Sequence, residues 1–193
     1  QRDLSGVGAN LHDHPDVVLV AEAASSALFG ISPVGAWRIL QGMWHWRQQR
    51  RGFLTTNFAE AGGFYKSSPD VAHPNIQLHF VVGKLVNHGR TPSFGHGYSL
   101  HVCLLQPQSR GTVRLASTDA TTPPRIDPQF LAEPQDMAHM VQGVRLARQI
   151  LTQPALNAHG REWAKSSQAQ SDEALAQAGI GPGTIRLSIG LED

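Results

Sequence analysis

Apolar and polar positions alternate along some stretches of this chain and recur at three-and-four spacing along others, and that contrast sets the expected elements. Residues 17–21, Val-Val-Leu-Val-Ala, form a β-branched run opened by Pro15 and predict a buried strand. From Pro33 the positions Val34, Trp37, Ile39, Leu40, Met43 and Trp44 follow a helical period that ends among Arg47, Arg50 and Arg51. The spacing predicts a helix over 33–49, with proline in its first turn, arginines at its negative end and Gly52 as its stop. Residues 53–65 alternate imperfectly around Gly62-Gly63, a strand with a bulge or a close backbone approach.

After a turn at 67–70, the run Ile76-Gln-Leu-His-Phe-Val-Val82 has a clean period of two and predicts a strand. Residues 84–94 read as an irregular loop and 98–105 as another strand. A turn at 106–110 suggests that 111–115 folds back on that strand as a hairpin. The prolines of 121–128 push the residues before them out of helical space, so this segment reads as an extended link. Asp136 then opens an amphipathic helix through Met137, Met140, Val141, Val144, Leu146, Ala147, Ile150 and Leu151, ending before Pro154. Strands followed by a helix, without regular strand–helix alternation, give the expected class: α+β, a mainly antiparallel β-sheet with helices packed on one face.

The 193 residues suffice for one domain with a core. Apolar residues make up 40%, and no run approaches a membrane span. Sixteen basic residues against fifteen acidic leave a net charge of +1, too little for a strong general field toward nucleic acid or an anionic membrane. The cluster Arg47, Arg50 and Arg51 reads as a solvated helix end. Cys103 is the sole cysteine, in an apolar stretch where burial would leave its thiol inert, so an internal disulfide is excluded. The chain opens at Gln1 with no targeting leader and looks cut from something longer; the expected setting is cytoplasmic.

Residues 5–16, SGVGANLHDHPD, admit several readings. A dinucleotide loop needs Gly-x-Gly-x-x-Gly between a strand and a helix, but Leu11 stands at the third glycine position and Pro15 blocks the helix. A metal site from His12, Asp13, His14 and Asp16 is disfavoured, because successive residues of an extended chain alternate sides and the four do not converge from one segment. A turn-rich lead into a strand remains.

A further reading is familial. Gly6-Val-Gly8-Ala-Asn10-Leu-His-Asp13-His14 resembles a segment of the glucose–methanol–choline (GMC) flavin oxidoreductases. So do, in order, residues 52–64, Pro74-Asn-Ile-Gln-Leu-His79-Phe80, Ser109-Arg110-Gly111-Thr-Val-Arg-Leu115, Pro124-Arg-Ile-Asp127-Pro128 and Gln153-Pro154-Ala155. The resemblance implies that residues 1–16 lead in from a missing flavin domain, that 17–165 form a substrate-binding domain, and that 166–193 are a tail outside the family pattern. It implies flavin adenine dinucleotide (FAD) and a small-molecule alcohol for the intact family. It also implies that His79 positions a substrate hydroxyl, with Glu60 and Phe80 beside it in the substrate pocket. From the residues alone, His79 is a hydrogen-bonded strand histidine and Glu60 an exposed carboxylate.

Two features of the family do not appear. The flavin fingerprint is absent, and so is the His-Pro-Val-Gly-Thr block that carries the family's catalytic histidine. The expectation is therefore no catalytic residue, no metal and no cofactor held by this chain alone. Residues 178–193 instead resemble the C-terminus of O-acetylhomoserine sulfhydrylase-type pyridoxal-phosphate enzymes, with Thr184 to Ile189 as a further strand. His96 and His101, five apart, lack a visible third ligand for a metal. The tryptophans at 37, 44, 46 and 163 read as core and amphipathic surface, with a substrate-facing wall open for Trp44 or Trp46.

Three functions follow: a substrate-binding domain unable to oxidise alcohols alone; a stand-alone small-molecule-binding or weakly hydrolytic protein using His79 or Ser109; and a scaffold that forms homo-oligomers through the face orphaned by the flavin domain.

Overall fold

The structure, a computed structural model, describes residues 4–85 and 92–162. Strands β1 (Asp16–Ala23), β2 (Gly30–Ile31), β3 (Ala59–Tyr65), β4 (Ile76–Val81), β5 (Gly95–Leu104) and β8 (Arg161–Glu162) make one antiparallel sheet. Its order is β3-β4-β5-β1-β8, with β2 on the end of β5. The first three residues of β5 fall before the predicted start at 98, pairing with β1 and β2. A second, two-stranded sheet joins β6 (Thr112–Arg114) to β7 (Arg125–Asp127). The expected mainly antiparallel α+β architecture is thus the one observed.

Helix α2 (Pro134–Leu151) closes one face of the large sheet. Met140, Val141, Val144, Ala147 and Leu151 pack with Ile76, Leu78, Leu100, Val102, Leu104, Val17 and Leu19 into one buried cluster. Each of those strand residues has the same parity along its strand, as a two-residue period requires. The helix approaches the sheet closely because Gly143 has no side chain there. A Cβ on Gly143 would lie 2.7 Å from Val102 Cγ1, and the Gly143 carbonyl accepts a bond from the Tyr65 hydroxyl at 3.0 Å. Burial raises the Tyr65 phenol well above its usual range, so it stays a donor.

Asp136, fully buried in the first turn of α2, anchors the 107–111 turn. Its carboxylate accepts from the amides of Gln108 and Ser109, each at 2.8 Å, and from the Ser109 hydroxyl at 2.6 Å. Ser109 Oγ in turn accepts the Glu133 amide at 3.0 Å. The short helix α3 (Pro154–Asn157) follows α2.

Two expectations need correction. The 111–115 strand does not fold back on β5; β6 pairs with β7, within the stretch expected to be an extended proline-rich link. The reason is that the lead-in segment lies beside β6, with the Val113 amide bonding the Gly8 carbonyl at 2.8 Å and Leu11 bridging Gly111. Gly8 has φ +73°, and a Cβ there would meet the Val113 oxygen at 1.9 Å. Its glycine therefore serves close backbone approach.

The second correction concerns α1 (Pro33–Gln49), whose bounds match the expected 33–49. Its stop is Arg50, left-handed at φ 54°, with the guanidinium 4.1 Å over the Trp46 ring; Gly52 comes after the cap. Ser32 caps the other end, accepting the Gly35 amide at 2.9 Å. Only Gly35 and Gly42 of this helix are buried, so its apolar stripe is not a core face among the described residues. No described helix is long and apolar enough to cross a membrane. The tail expected over 166–193, with its strand at 184–189, and Trp163 lie outside the described residues.

Placing a branched side chain at Gly143 tests the packing of α2. Gly143→Val should cost about 1–3 kcal/mol in urea unfolding. Gly63→Ala, whose Cβ would meet nothing within 4 Å, should stay within about 0.5 kcal/mol.

Candidate functional site

The face of the sheet opposite α2 carries the other parity of each strand, and polar side chains gather on it beside Val18, Val20 and Val81. Across β4 and β5, His79 is paired directly with His101, and Gln77 with Cys103. Across β5 and β1, Cys103 is paired with Asp16, and His101 with Val18. Register alone therefore gathers Gln77, His79, His101, Cys103 and Asp16 on one side of three strands.

Asp16 and His101 form its centre. They are 6% and 8% exposed, and His101 Nδ1 lies 2.7 Å from Asp16 Oδ2. The carboxylate also accepts the Cys103 thiol at 3.4 Å, so Cys103 is buried, as expected. With Nδ1–H donated to the carboxylate, Nε2 is the ring nitrogen left over. That Nε2 is buried and has no hydrogen-bond partner among the described residues, an arrangement that costs free energy unless another group meets it.

His79, half-buried next to this pair, has its pKa lowered from the ordinary 6.5. Burial is the main cause; His101 lowers it further, the Asp16 carboxylate opposes, and His14 adds a small lowering. His79 is thus neutral near pH 7 and can offer a ring nitrogen as acceptor. His14 also lines a hollow of about 370 Å³ with His12, Gln106, Gln108 and Arg110.

The other residues singled out in the sequence lie elsewhere. Glu60 is exposed and is the extra residue of a bulge between Ala59 and Ala61, so the β3 partner of His79 is Gly62. Glu60 lines a separate hollow of about 290 Å³ with Phe29, Phe53, Thr55, Thr56 and Val82. Phe80 has the parity of Leu78 and packs against the α2 core, its ring 5.3 Å from that of Tyr98. The structure therefore gathers His79 with Asp16 and His101 and leaves Glu60 and Phe80 apart from it.

His96 is a structural residue. The Leu28 carbonyl, 2.8 Å from Nδ1, can only accept, so Nδ1 carries the proton. Nε2 then accepts the Ser32 hydroxyl at 2.7 Å. Ser109 is buried with its hydroxyl committed to Asp136, which removes it from reach as a nucleophile. No group of three or more His, Cys, Asp or Glu among the described residues could hold a metal. The turn through Gly6 and Gly8 runs into strand β1, so it offers no helix N-terminus to a pyrophosphate.

Asp16 and His101 escaped notice as a pair because 85 positions separate them. The available signal was an acidic residue following Pro15 at a strand's start, and a histidine inside an otherwise apolar strand.

The family model described as GMC oxidoreductase, for the C-terminal domain, matches residues 107–184. In sequence the chain is 40% identical over 174 residues to an alcohol dehydrogenase [acceptor] of Pseudomonas putida, covering 90% of this chain and 32% of that protein. It is 33% identical over 174 residues to the mitochondrial choline dehydrogenase of Mus musculus, covering 89% of this chain and 29% of that protein. The chain thus spans about a third of the length of these curated relatives. In fold it is similar to the formate oxidase of Aspergillus oryzae RIB40, with a TM-score of 0.74 at 22% identity over 89% of this chain and 35% of that one. An FAD-dependent oxidoreductase from Chaetomium thermophilum gives 0.69 at 19% identity over 90% of this chain and 36% of that one.

The electrostatics of the cluster can be read by histidine titration in NMR. Asp16→Asn should lower the His79 pKa further, and His101→Gln should raise it, since the two neighbours act with opposite sign. On acidification below the ordinary 6.5 the unfolded chain takes up the proton before folded His79 does, so stability is present above that pH and is lost as pH falls toward the folded value. His79→Gln should flatten this decline in melting temperature. Shifts of one sign in both neighbour variants would contradict the assignment.

In sequence, then, residues 107–184 match the C-terminal domain of the GMC oxidoreductases, and the chain is similar to alcohol and choline dehydrogenases over about a third of their length.

Proposed function

We propose that this chain is the substrate-facing domain of an FAD-dependent alcohol oxidoreductase, acting on a small alcohol, and that it does not oxidise alcohols by itself. The observation that carries the reading is the polar row on the sheet face opposite α2. There a neutral His79 stands beside a buried carboxylate–imidazole pair, in a chain related to alcohol and choline dehydrogenases.

Alcohol oxidation removes a hydride from carbon and a proton from oxygen. The residues here serve the substrate side. A neutral His79 accepts a hydrogen bond from the hydroxyl and fixes the direction of the C–H bond, a contribution of orientation. Asp16 holds His101, and His101 with the sheet walls that histidine from water. Glu60 is assigned to the separate hollow that it lines with Phe29 and Phe53, and Phe80 to the apolar support on the α2 side of the sheet. The flavin is assigned to a part of the protein outside the described residues, a reading supported by the Gly6–Gly8 turn running into a strand and not a helix.

The test is a chimaera in which residues 4–162 replace the matching segment of the Pseudomonas putida alcohol dehydrogenase [acceptor]. It should retain flavin and oxidise an alcohol, and His79→Ala within it should lower kcat/KM by about 10²-fold with flavin content unchanged. Glu60→Ala should cost about tenfold or less, as befits an exposed position. A flavin-loaded chimaera in which His79→Ala turns over normally would contradict the reading.

A further inference from the structure

The outward stripe of α1 is the largest apolar feature that the substrate-side reading does not use. Trp37, Leu40, Met43 and Trp44 are 61%, 57%, 53% and 65% exposed. They fall at three-and-four spacing on the side away from Gly35 and Gly42, where the helix meets the rest of the fold. Exposed apolar patches of this kind mark interaction sites.

Charge says what covers it. Between Glu22 and Glu60 the chain contains no acidic residue, while Arg38, Arg47, Arg50 and Arg51 all fall there. The net charge of +1 therefore conceals a local excess of four positive charges around this helix. Arg38 turns inward, bonded to the Ser26 carbonyl and 4.8 Å above the Phe53 ring. Arg47 follows Trp44 by three and Leu40 by seven, which places it within the apolar stripe itself, and Arg50 and Arg51 close its end.

Three occupants make different demands. Packing against a second protein domain would bury Arg47 among tryptophans, a heavy desolvation cost without a paired carboxylate. A second copy of this chain, packed stripe on stripe, would bring like-charged arginine clusters together if parallel, and if antiparallel would bury Arg47 in a stripe that has no carboxylate to pair it. A lipid surface fits both features: the tryptophans sit at the headgroup boundary, and the arginines extend to lipid phosphates while their stems cover apolar surface.

We propose that α1 is a peripheral membrane-docking helix, lying in the plane of an anionic lipid surface with Trp37, Leu40, Met43 and Trp44 inserted and Arg47, Arg50 and Arg51 on the headgroup phosphates. The helix does not span the bilayer, and the proposal stands independently of the substrate-side reading.

The test is sedimentation of the 193-residue chain with vesicles of phosphatidylcholine alone or with about one-third phosphatidylglycerol. The expected result is binding to the mixed vesicles with a blue shift of tryptophan fluorescence, little binding to neutral vesicles, and loss in high salt. Trp37→Gln with Trp44→Gln should weaken binding at least ~10-fold, and Arg47→Gln with Arg51→Gln by about 25-fold, roughly fivefold per arginine. All four positions are exposed, so melting temperature should not change and a folding defect is separately visible. Binding to neither vesicle, equal binding to both, or binding unaffected by the tryptophan pair would overturn the proposal. So would a concentration-dependent dimer that the tryptophan variant abolishes.

Discussion

The antiparallel register of β4, β5 and β1 governs this molecule. Because side chains alternate across a strand, fixing His79 opposite His101 also fixes Leu78 opposite Val102, and one alignment determines both the α2 core and the polar face. A slip of one residue would place histidine and aspartate under α2 and expose Ile76, Val102 and Leu104. Burial of the apolar parity against Met140, Val144 and Ala147 is the free energy that forbids the slip. The polar cluster is thus assembled by the same contacts that stabilise the domain.

The cluster also bears a cost that the fold alone does not offset. Asp16 and His101 satisfy one another, but the remaining nitrogen of His101 is buried without a described partner. The polar groups that serve architecture are, by contrast, fully paired. Asp136 takes three bonds from the 107–111 turn, and His96 uses both ring nitrogens on Leu28 and Ser32. An unmatched ring nitrogen on the face bearing His79 sets that face apart from the paired groups of Asp136 and His96.

What the sequence disclosed follows from the range of each interaction. Helix α1 was legible to the residue, since Pro33, the three-and-four apolar period and the arginine-rich end are local signals, and β4 announced itself by strict alternation. The partner of β6 was not legible, because it depends on the lead-in segment approaching at Gly8, about a hundred residues away in sequence. The outward aim of α1 was equally hidden: a helical period of apolar residues looks the same whether it faces a core or a surface. At the site, His79 stood out by its alternation and by family likeness. Asp16 and His101 meet only through β1–β5 pairing, which no local pattern reveals. Phe80, adjacent to His79 in sequence, sits by parity on the other face.

The central proposal is that the His79 face, and not the α2 face, is the one that meets a flavin-bearing domain. The most direct measurement is NMR of the isotopically labelled chain titrated with the flavin-bearing remainder of a relative such as the Pseudomonas putida alcohol dehydrogenase [acceptor]. The account predicts shifted imidazole signals for His79 and His101, with the methyl groups of Val144 and Leu151 beneath α2 unmoved. Movement of those methyls with the imidazoles unchanged would contradict it.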